Sequence, residues 1–382
     1  MGSLDDFARD KLAHSERRGL RRKPVESVAL DAVRIERGGR ELLSFSGNDY
    51  LGLSFCPEVQ RAAREALERY GCGAGASRLI TGNHPLLGAL ERALSELKGS
   101  EDAVVFGSGY LTNLGLIPAL CGPEDLIVAD ALSHACLLAG ARLSGATLLC
   151  YAHENMAEVR AVLEARRGRH RHCLILTDGV FSMDGDLANL PELARLAERF
   201  DAWLLCDDAH GLGVVGGGRG SAFAHSEALT IALQMGTLSK AAGGYGGYVC
   251  ASRVVCELLR TRARTFIYST GLAPASAGAA LAAVRRIAGD RALCARPLAH
   301  ARRFCGRLGL PAPRSPIVPI VVGDGGRALE LSARLERRGF LVVAIREPTV
   351  PRGTARLRIT FSAAHRLEHV DALAEALGEE LT

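Results

Sequence analysis

From Pro85 onward the chain alternates two kinds of segment, and this alternation limits its possible folds more than any other feature. Short apolar runs of strand length stand at Ala103 to Phe106, Leu126 to Ala129, Thr147 to Cys150, Cys173 to Thr177, Trp203 to Cys206, Ala232 to Met235 and Tyr248 to Ala251. Stretches with apolar residues at helical spacing precede or separate most of them: Pro85 to Lys98, Tyr110 to Ala119, Ser133 to Leu143, Ala157 to Arg167 and Leu190 to Phe200. A strand that is apolar throughout must be covered on both faces. The pattern therefore predicts an α/β fold, a mostly parallel sheet between layers of helices. Such sheets take their ligands beyond the carboxyl ends of the strands.

The two ends read differently. Residues before about 45 predict a basic helix, Leu4 to Leu20, and a short hairpin around Arg37 to Arg40. Beyond about Asp290 come a Pro-rich connection (Pro311 to Pro319), a strand (Ile317 to Val322), a helix (Ala328 to Arg338), a strand (Leu341 to Ala344), a Pro/Gly loop (Glu347 to Gly353), a strand (Ala355 to Phe361) and a helix from His369. At 382 residues the chain exceeds what one core usually serves. The expected division is an N-terminal helix and arm over 1–45, a large domain over 46–289 and a small α+β domain over 290–382.

Composition narrows the partners. The 47 basic and 42 acidic residues nearly cancel, which leaves no bias toward nucleic acid or an anionic membrane. The 11 cysteines are scattered and never spaced as CxxC, so neither a disulfide framework nor a zinc site is expected, and a reducing cytoplasm fits best. No signal-peptide core opens the chain, and the longest small-apolar stretch, Gly271 to Val284, is too short to span a membrane. The lysines are Lys11, Lys23, Lys98 and Lys240, so any lysine chemistry has few candidates.

Three motifs carry the chemistry. In WLLCDDAHG, Asp207, Asp208 and His210 follow an apolar run; carboxylates there are costly to desolvate, so a cationic or donor-rich ligand is expected, with metal ligation or helix capping as alternatives. In GTLSKAAGGYGGY (236–248), Lys240 stands among small residues, where desolvation favours the neutral nucleophilic amine; a plain surface lysine is the alternative. In FGSGYLTN (106–113), Ser108, Gly109 and Tyr110 open a helix whose amides suit an anion. His134 and Ser182 also fall just past apolar runs, so six groups converge on one end of the expected sheet. A lysine, an acid, an anion cradle and a flat-faced histidine are what pyridoxal phosphate requires: an amine for its aldehyde, a carboxylate for its pyridine nitrogen, amides for its phosphate.

At these residues the chain resembles the α-oxoamine synthases, a branch of the fold-type I pyridoxal phosphate enzymes. The resemblance runs through FSGNDYLGLS (45–54), GASRLITGNHPLLGALE (75–91), SHA (133–135), DGVFSMDGDLANLPEL (178–193), DDAHGLGVVG (207–216), GTLSKAAGGYGGYV (236–249) and PTVPRGTARLRITFSAAH (348–365). It implies that Lys240 is the Schiff-base lysine, that Asp207 pairs with the pyridine nitrogen, that His210 and Ser182 contact the ring hydroxyl and that His134 stacks on the ring. By the same resemblance Gly109, Tyr110 and Thr237 surround the cofactor, and Asn48 and Arg358 hold the amino-acid carboxylate. Arg21, Arg346 and Thr349 would lie around the acyl substrate. The implied partners are L-alanine (glycine or serine in other members) and an acyl thioester of CoA or of acyl-carrier protein. A homodimer is implied too, with interfacial active sites and FIYST (266–270) reaching in from the neighbouring subunit. Two departures stand out: Leu212 replaces a frequent small polar residue after DDAHG, and Leu87 stands where a second histidine often follows GNHP.

Overall fold

In a computed structural model that describes residues 2–226 and 229–381, the seven apolar runs form one sheet. Its strands are β1 (Asp102–Phe106), β2 (Leu126–Asp130), β3 (Thr147–Tyr151), β4 (Cys173–Asp178), β5 (Trp203–Asp207), β6 (Leu233–Thr237) and β7 (Gly247–Ala251). Their spatial order is β1-β7-β6-β5-β4-β2-β3. All neighbours are parallel except β7, which runs antiparallel to both β1 and β6. Alternate residues serve opposite faces, as the period of a strand requires. In β4, Leu174 and Leu176 pack with Ile117 and Leu137 on one side, while Cys173 and Ile175 pack with Leu163 and Leu193 on the other. Leu87 and Leu212 are fully buried in a third apolar cluster, under the helices Pro85–Lys98 and Pro274–Gly289.

The helices expected between the strands are present within a residue or two of their predicted ends. The N-terminal helix is shorter than expected, Ser3–Arg17; it buries no side chain, and Gly19 (φ +63°) follows its end. Strands Arg34–Arg37 and Arg40–Ser44 form the expected hairpin. The run Leu341 to Ala344, expected as one strand, divides. Phe340–Leu341 pairs in parallel with Leu43 and Ser44, whereas Val343–Ile345 pairs with Ala355–Thr360. Val342, fully buried, is the corner at which the chain passes from one sheet to the other. The expected strand from Ile317 is present as Ile317–Gly323, an edge strand, and so tolerates Pro319 inside it. Phe45, Phe304, Leu357 and Phe361 anchor a separate apolar cluster here. No helix among the described residues is long and apolar enough to cross a membrane.

Candidate active site

Asp207 is the last residue of β5, Lys240 follows β6 by three residues, and His134 and Ser182 each follow a parallel strand by four. The sheet thus brings these groups to one edge. Lys240 Nζ lies 2.7 Å from His210 Nε2, and His210 Nδ1 lies 2.7 Å from the Tyr50 hydroxyl. Tyr50 continues to Asn48 Oδ1 at 3.2 Å, which also accepts from both terminal nitrogens of Arg358 at 3.3 and 3.2 Å. The Arg358 Nε donates to the Ser182 carbonyl. Asn48, Ser182, His210, Lys240 and Arg358 are therefore one hydrogen-bonded group, joined by Tyr50, which the sequence reading did not single out. Tyr50 lies inside the FSGNDYLGLS motif, and a tyrosine beside Asn48 at that motif was the available signal.

Burial governs the titration of this group. Desolvation lowers the Lys240 amine to about 8 against the pull of Asp207 and Asp178, with Arg358 adding to the fall. His210 lies well below an ordinary histidine, through burial first and then the charges of Lys240 and Arg358. Its imidazole is therefore neutral at pH 7 and can accept from the lysine. Asp207 is pushed up by burial and pulled back by Lys240, by the amide of Asn113 at 2.8 Å and by the Ala209 N–H at 3.0 Å. Asp178, also missed in the sequence, is buried at the end of β4, accepts from the His134 backbone N–H at 2.8 Å and is raised by burial and by Asp207.

Asp208 does not join its neighbours. It accepts from Lys98 Nζ at 2.9 Å and from the N–H and hydroxyl of Ser221 at 3.0 and 2.7 Å, sealed by Gly220 (φ +108°), where a Cβ would come within 1.6 Å of its carboxylate. The grouping of Asp207, Asp208 and His210 in the sequence reading is corrected accordingly, and a metal held by all three has no geometry here. Successive residues leave a strand on opposite sides.

Small residues build the helix start that the sequence offers to an anion. Ser108 caps the helix Gly109–Leu120, accepting from the Leu111 N–H at 3.2 Å, and a Cβ on Gly109 would lie 3.2 Å from Thr237 Cβ. The Thr237 hydroxyl bonds Ser239 Oγ at 2.7 Å beside this helix start. Tyr110 is half exposed, and His134 keeps part of its surface open to solvent while its Nδ1 edge is packed against Cys136. These features fit pyridoxal phosphate. Asp207 is buried yet has no ion-pair partner among the described residues, which suits a protonated ring nitrogen, and the glycine at the helix start leaves backbone amides free of a side chain.

The family model described as Aminotransferase class I and II matches residues 40–377. The chain belongs to that family. Within it the chain is a fold-type I, pyridoxal phosphate-dependent acyltransferase of the α-oxoamine synthase branch. It is 58% identical over 375 residues to 8-amino-7-oxononanoate synthase of Maricaulis maris, covering 98% of this chain and 96% of the relative. A serine palmitoyltransferase from S. paucimobilis with bound PLP-myriocin aldimine superposes with TM-score 0.90 at 27% identity, over 99% of this chain and 98% of the other. The 8-amino-7-oxononanoate synthase from Francisella tularensis superposes with TM-score 0.76 at 26% identity, over 89% and 98%.

None of the residues expected around the acyl substrate belongs to the hydrogen-bonded group of this acyltransferase's lysine. Arg346 donates to the Gly19 carbonyl at 3.0 Å and, with Arg18 and Arg352, lines a cleft of about 510 Å³. Thr349 is exposed, its N–H bonded to the Arg346 carbonyl, and Arg21 is an exposed partner of Glu16 at 2.8 Å. Arg356, two residues before Arg358, is committed to Asp184 and to the Thr354 carbonyl. Tyr268 of FIYST is 72% exposed.

Proposed function

We infer that this acyltransferase condenses L-alanine with a pimeloyl thioester, of CoA or of acyl-carrier protein, releasing carbon dioxide and free thiol to give 8-amino-7-oxononanoate for biotin biosynthesis. The observation that carries this reading is near-full-length 58% identity to a synthase of that product, together with the lysine-centred group at the sheet edge. Bound pyridoxal phosphate supplies an aldehyde that joins amines and a cationic ring that takes up the electron pair freed at the amino acid's Cα.

The chain's own residues do the rest. Lys240, its amine lowered to about 8, has a neutral fraction to act as nucleophile and then as base and acid at Cα, and the neutral Nε2 of His210 orients it. Asp207 holds the ring nitrogen's proton; Asn113 and the Ala209 N–H keep that carboxylate aimed. Gly109, Tyr110 and Thr237 would flank the cofactor's phosphate, Ser182 and His210 would meet its ring hydroxyl, and His134 would cover the ring face. Arg358 would grip the alanine carboxylate with two parallel hydrogen bonds from the terminal nitrogens that reach Asn48 Oδ1 in the free protein, Asn48 giving way to the substrate. Arg346, Thr349 and Arg21 receive the thioester through the cleft beside the N-terminal segment.

The same reading has a homodimer in the cytoplasm, with 266–270 entering the partner's site; the exposed Tyr268 supports that placement. It also has the division 1–45, 46–289 and 290–382, supported by the break at Asp290 between helices Pro274–Gly289 and Arg291–Arg307. The deciding assay is a panel of amino acids against acyl thioesters scored by released thiol. Alanine with pimeloyl thioester should be the preferred pair; preference for serine with a long acyl chain, or for glycine with a short one, would reassign the reaction within the family.

A further inference from the structure

The buried thiol of Cys136, beside His134, takes no part in the proposed reaction. Cys136 lies in the first turn of the helix Ala135–Ser144. Its Sγ is 2.8 Å from His134 Nδ1 and 3.1 Å from Asn113 Nδ2, and the same Asn113 amide nitrogen reaches Asp207 Oδ2 at 2.8 Å. The proton positions follow from chemistry. An amide has two N–H groups, and here one meets the carboxylate and the other the sulfur. Turning the amide over would set its oxygen against the Asp207 carboxylate, so this orientation holds although it leaves Asn113 Oδ1 buried without a partner. Burial, with Asp207 adding to it, pushes the Cys136 thiol up to about 12, so the sulfur keeps its proton. That S–H has His134 Nδ1 as its acceptor, and the Cys136 backbone N–H meets the same nitrogen at 3.3 Å.

The thiol reaches Asn113 because of Gly140, four residues on and on the same helix face. A Cβ on Gly140 would lie 2.6 Å from the Asn113 carbonyl oxygen and 2.9 Å from Ile117 Cδ1. The bare backbone lets this helix lie against the helix Gly109–Leu120, which carries Asn113.

We propose that Cys136 is a positioning residue for His134: with Asn113 it forms a hydrogen-bonded relay from Asp207 that fixes the imidazole plane and places the ring proton on Nε2. The proposal rests on the reading that His134 covers the cofactor ring. The group that binds the ring's edge and the group that covers its face would then be held by a single chain of contacts. Burial lowers the His134 titration, Asp207 opposes that shift and Lys240 adds to it; Asp178, through the backbone N–H, and His210 are the other titratable neighbours. A donor at Nδ1 favours the neutral ring, so removing it must let the titration rise.

The test is long-range 1H–15N spectroscopy of 15N-histidine-labelled protein, with and without pyridoxal phosphate, with His134 assigned through His134→Gln. Wild type should show the Nε2–H tautomer. Cys136→Ala should raise the His134 midpoint by roughly half a unit to one unit, the worth of one hydrogen bond, and Cys136→Ser should restore it. An Nδ1–H tautomer in wild type overturns the proposal without any variant, and so does an unmoved midpoint in Cys136→Ala or a serine that fails to restore it. The cofactor-free spectra do not depend on turnover. A failed condensation assay beside an intact His134 response sinks the functional reading alone, and the converse sinks this one.

Discussion

Asp207 and Asp208 are sequence neighbours at the end of β5, yet their surroundings differ in kind. Asp208 and Lys98 form a pair with side-chain exposures of 2% and 0%, each with further partners: Ser221 for the acid, the Arg219 carbonyl for the lysine. Asp207 accepts from an amide and a backbone N–H, and Lys240 is held by a neutral histidine instead of a carboxylate. Both regions combine a lysine with an aspartate away from water. One is electrically complete and therefore inert; the other has a depressed amine and an uncompensated acid, the condition in which a ligand's charge is worth most. Being buried and ionisable is not enough to mark a functional group, and the deciding question is whether its partners are already present.

The largest effect should come from Lys240→Ala. Thiol release should fall roughly ten-thousandfold or more, and borohydride treatment of the holoenzyme should label the peptide containing Lys240. Label on Lys98, Lys11 or Lys23 would break the comparison outright.

On the other side of the strand, Lys98→Met or Asp208→Asn should cost about 3–5 kcal/mol of stability in chemical denaturation, because each leaves a buried group unpaired. The folded fraction should turn over nearly normally, and the double variant Lys98→Met with Asp208→Leu should recover much of the loss. Turnover that collapses in a stably folded Asp208→Asn would show that the second pair is not inert.

Asp207→Asn should fold, bind cofactor and lose roughly a hundredfold or more in kcat, the scale of several kcal/mol of charge stabilisation. Equal kinetic losses at 207 and 208 would mean that the wrong carboxylate has been chosen.

Arg358→Lys should weaken alanine binding by about tenfold, read from the absorbance of the bound cofactor, since an ammonium cannot make two parallel bonds. Arg346→Ala should spare alanine and raise the KM for the thioester, and the reverse pattern would reverse the proposed orientation of both substrates.

The smallest effect is a pH dependence. Only the neutral amine of Lys240 attacks the aldehyde, and its fraction grows as pH rises through about 8. Cofactor uptake by the cofactor-free protein should therefore quicken about fivefold between pH 7 and 8 and less than twofold beyond. A lysine of ordinary pKa would instead keep gaining about tenfold per unit well past pH 9, and that result would make Lys240 resemble a solvated amine.

Much of the fold was legible because its signals are local. The run Cys173 to Thr177 is apolar throughout because a central parallel strand is buried on both faces, and Pro85–Lys98 announces its start by Pro and its stop by Gly99. The division of Leu341 to Ala344 was not legible. Both halves satisfy the same apolar pattern, and only the distant partners Leu43 and Arg358 assign them to different sheets. The placement of Lys240, Asp207, His134 and Ser182 at or just past strand ends followed from the sequence, and Asp178 and Tyr50 lay in quoted motifs, whereas Asn113 and Cys136 gave no comparable local sign. Asn113 lies mid-helix, where an asparagine ordinarily faces solvent, and its importance comes from Asp207, 94 residues away.

By itself the sequence determined the layered sheet and the end of it at which Lys240 and its neighbours collect, since periodicity and loop position are properties of short segments. Residue type and position alone could not separate Asp207 from Asp208; only the family resemblance did. Adjacent residues at a strand end point to opposite sides, and which side is closed by a lysine depends on a helix ending 110 residues earlier. The tertiary structure made that choice: packing of Pro85–Lys98 under the sheet delivers Lys98 to one carboxylate, and no described residue forms an ion pair with the other, which feels Lys240 only at longer range.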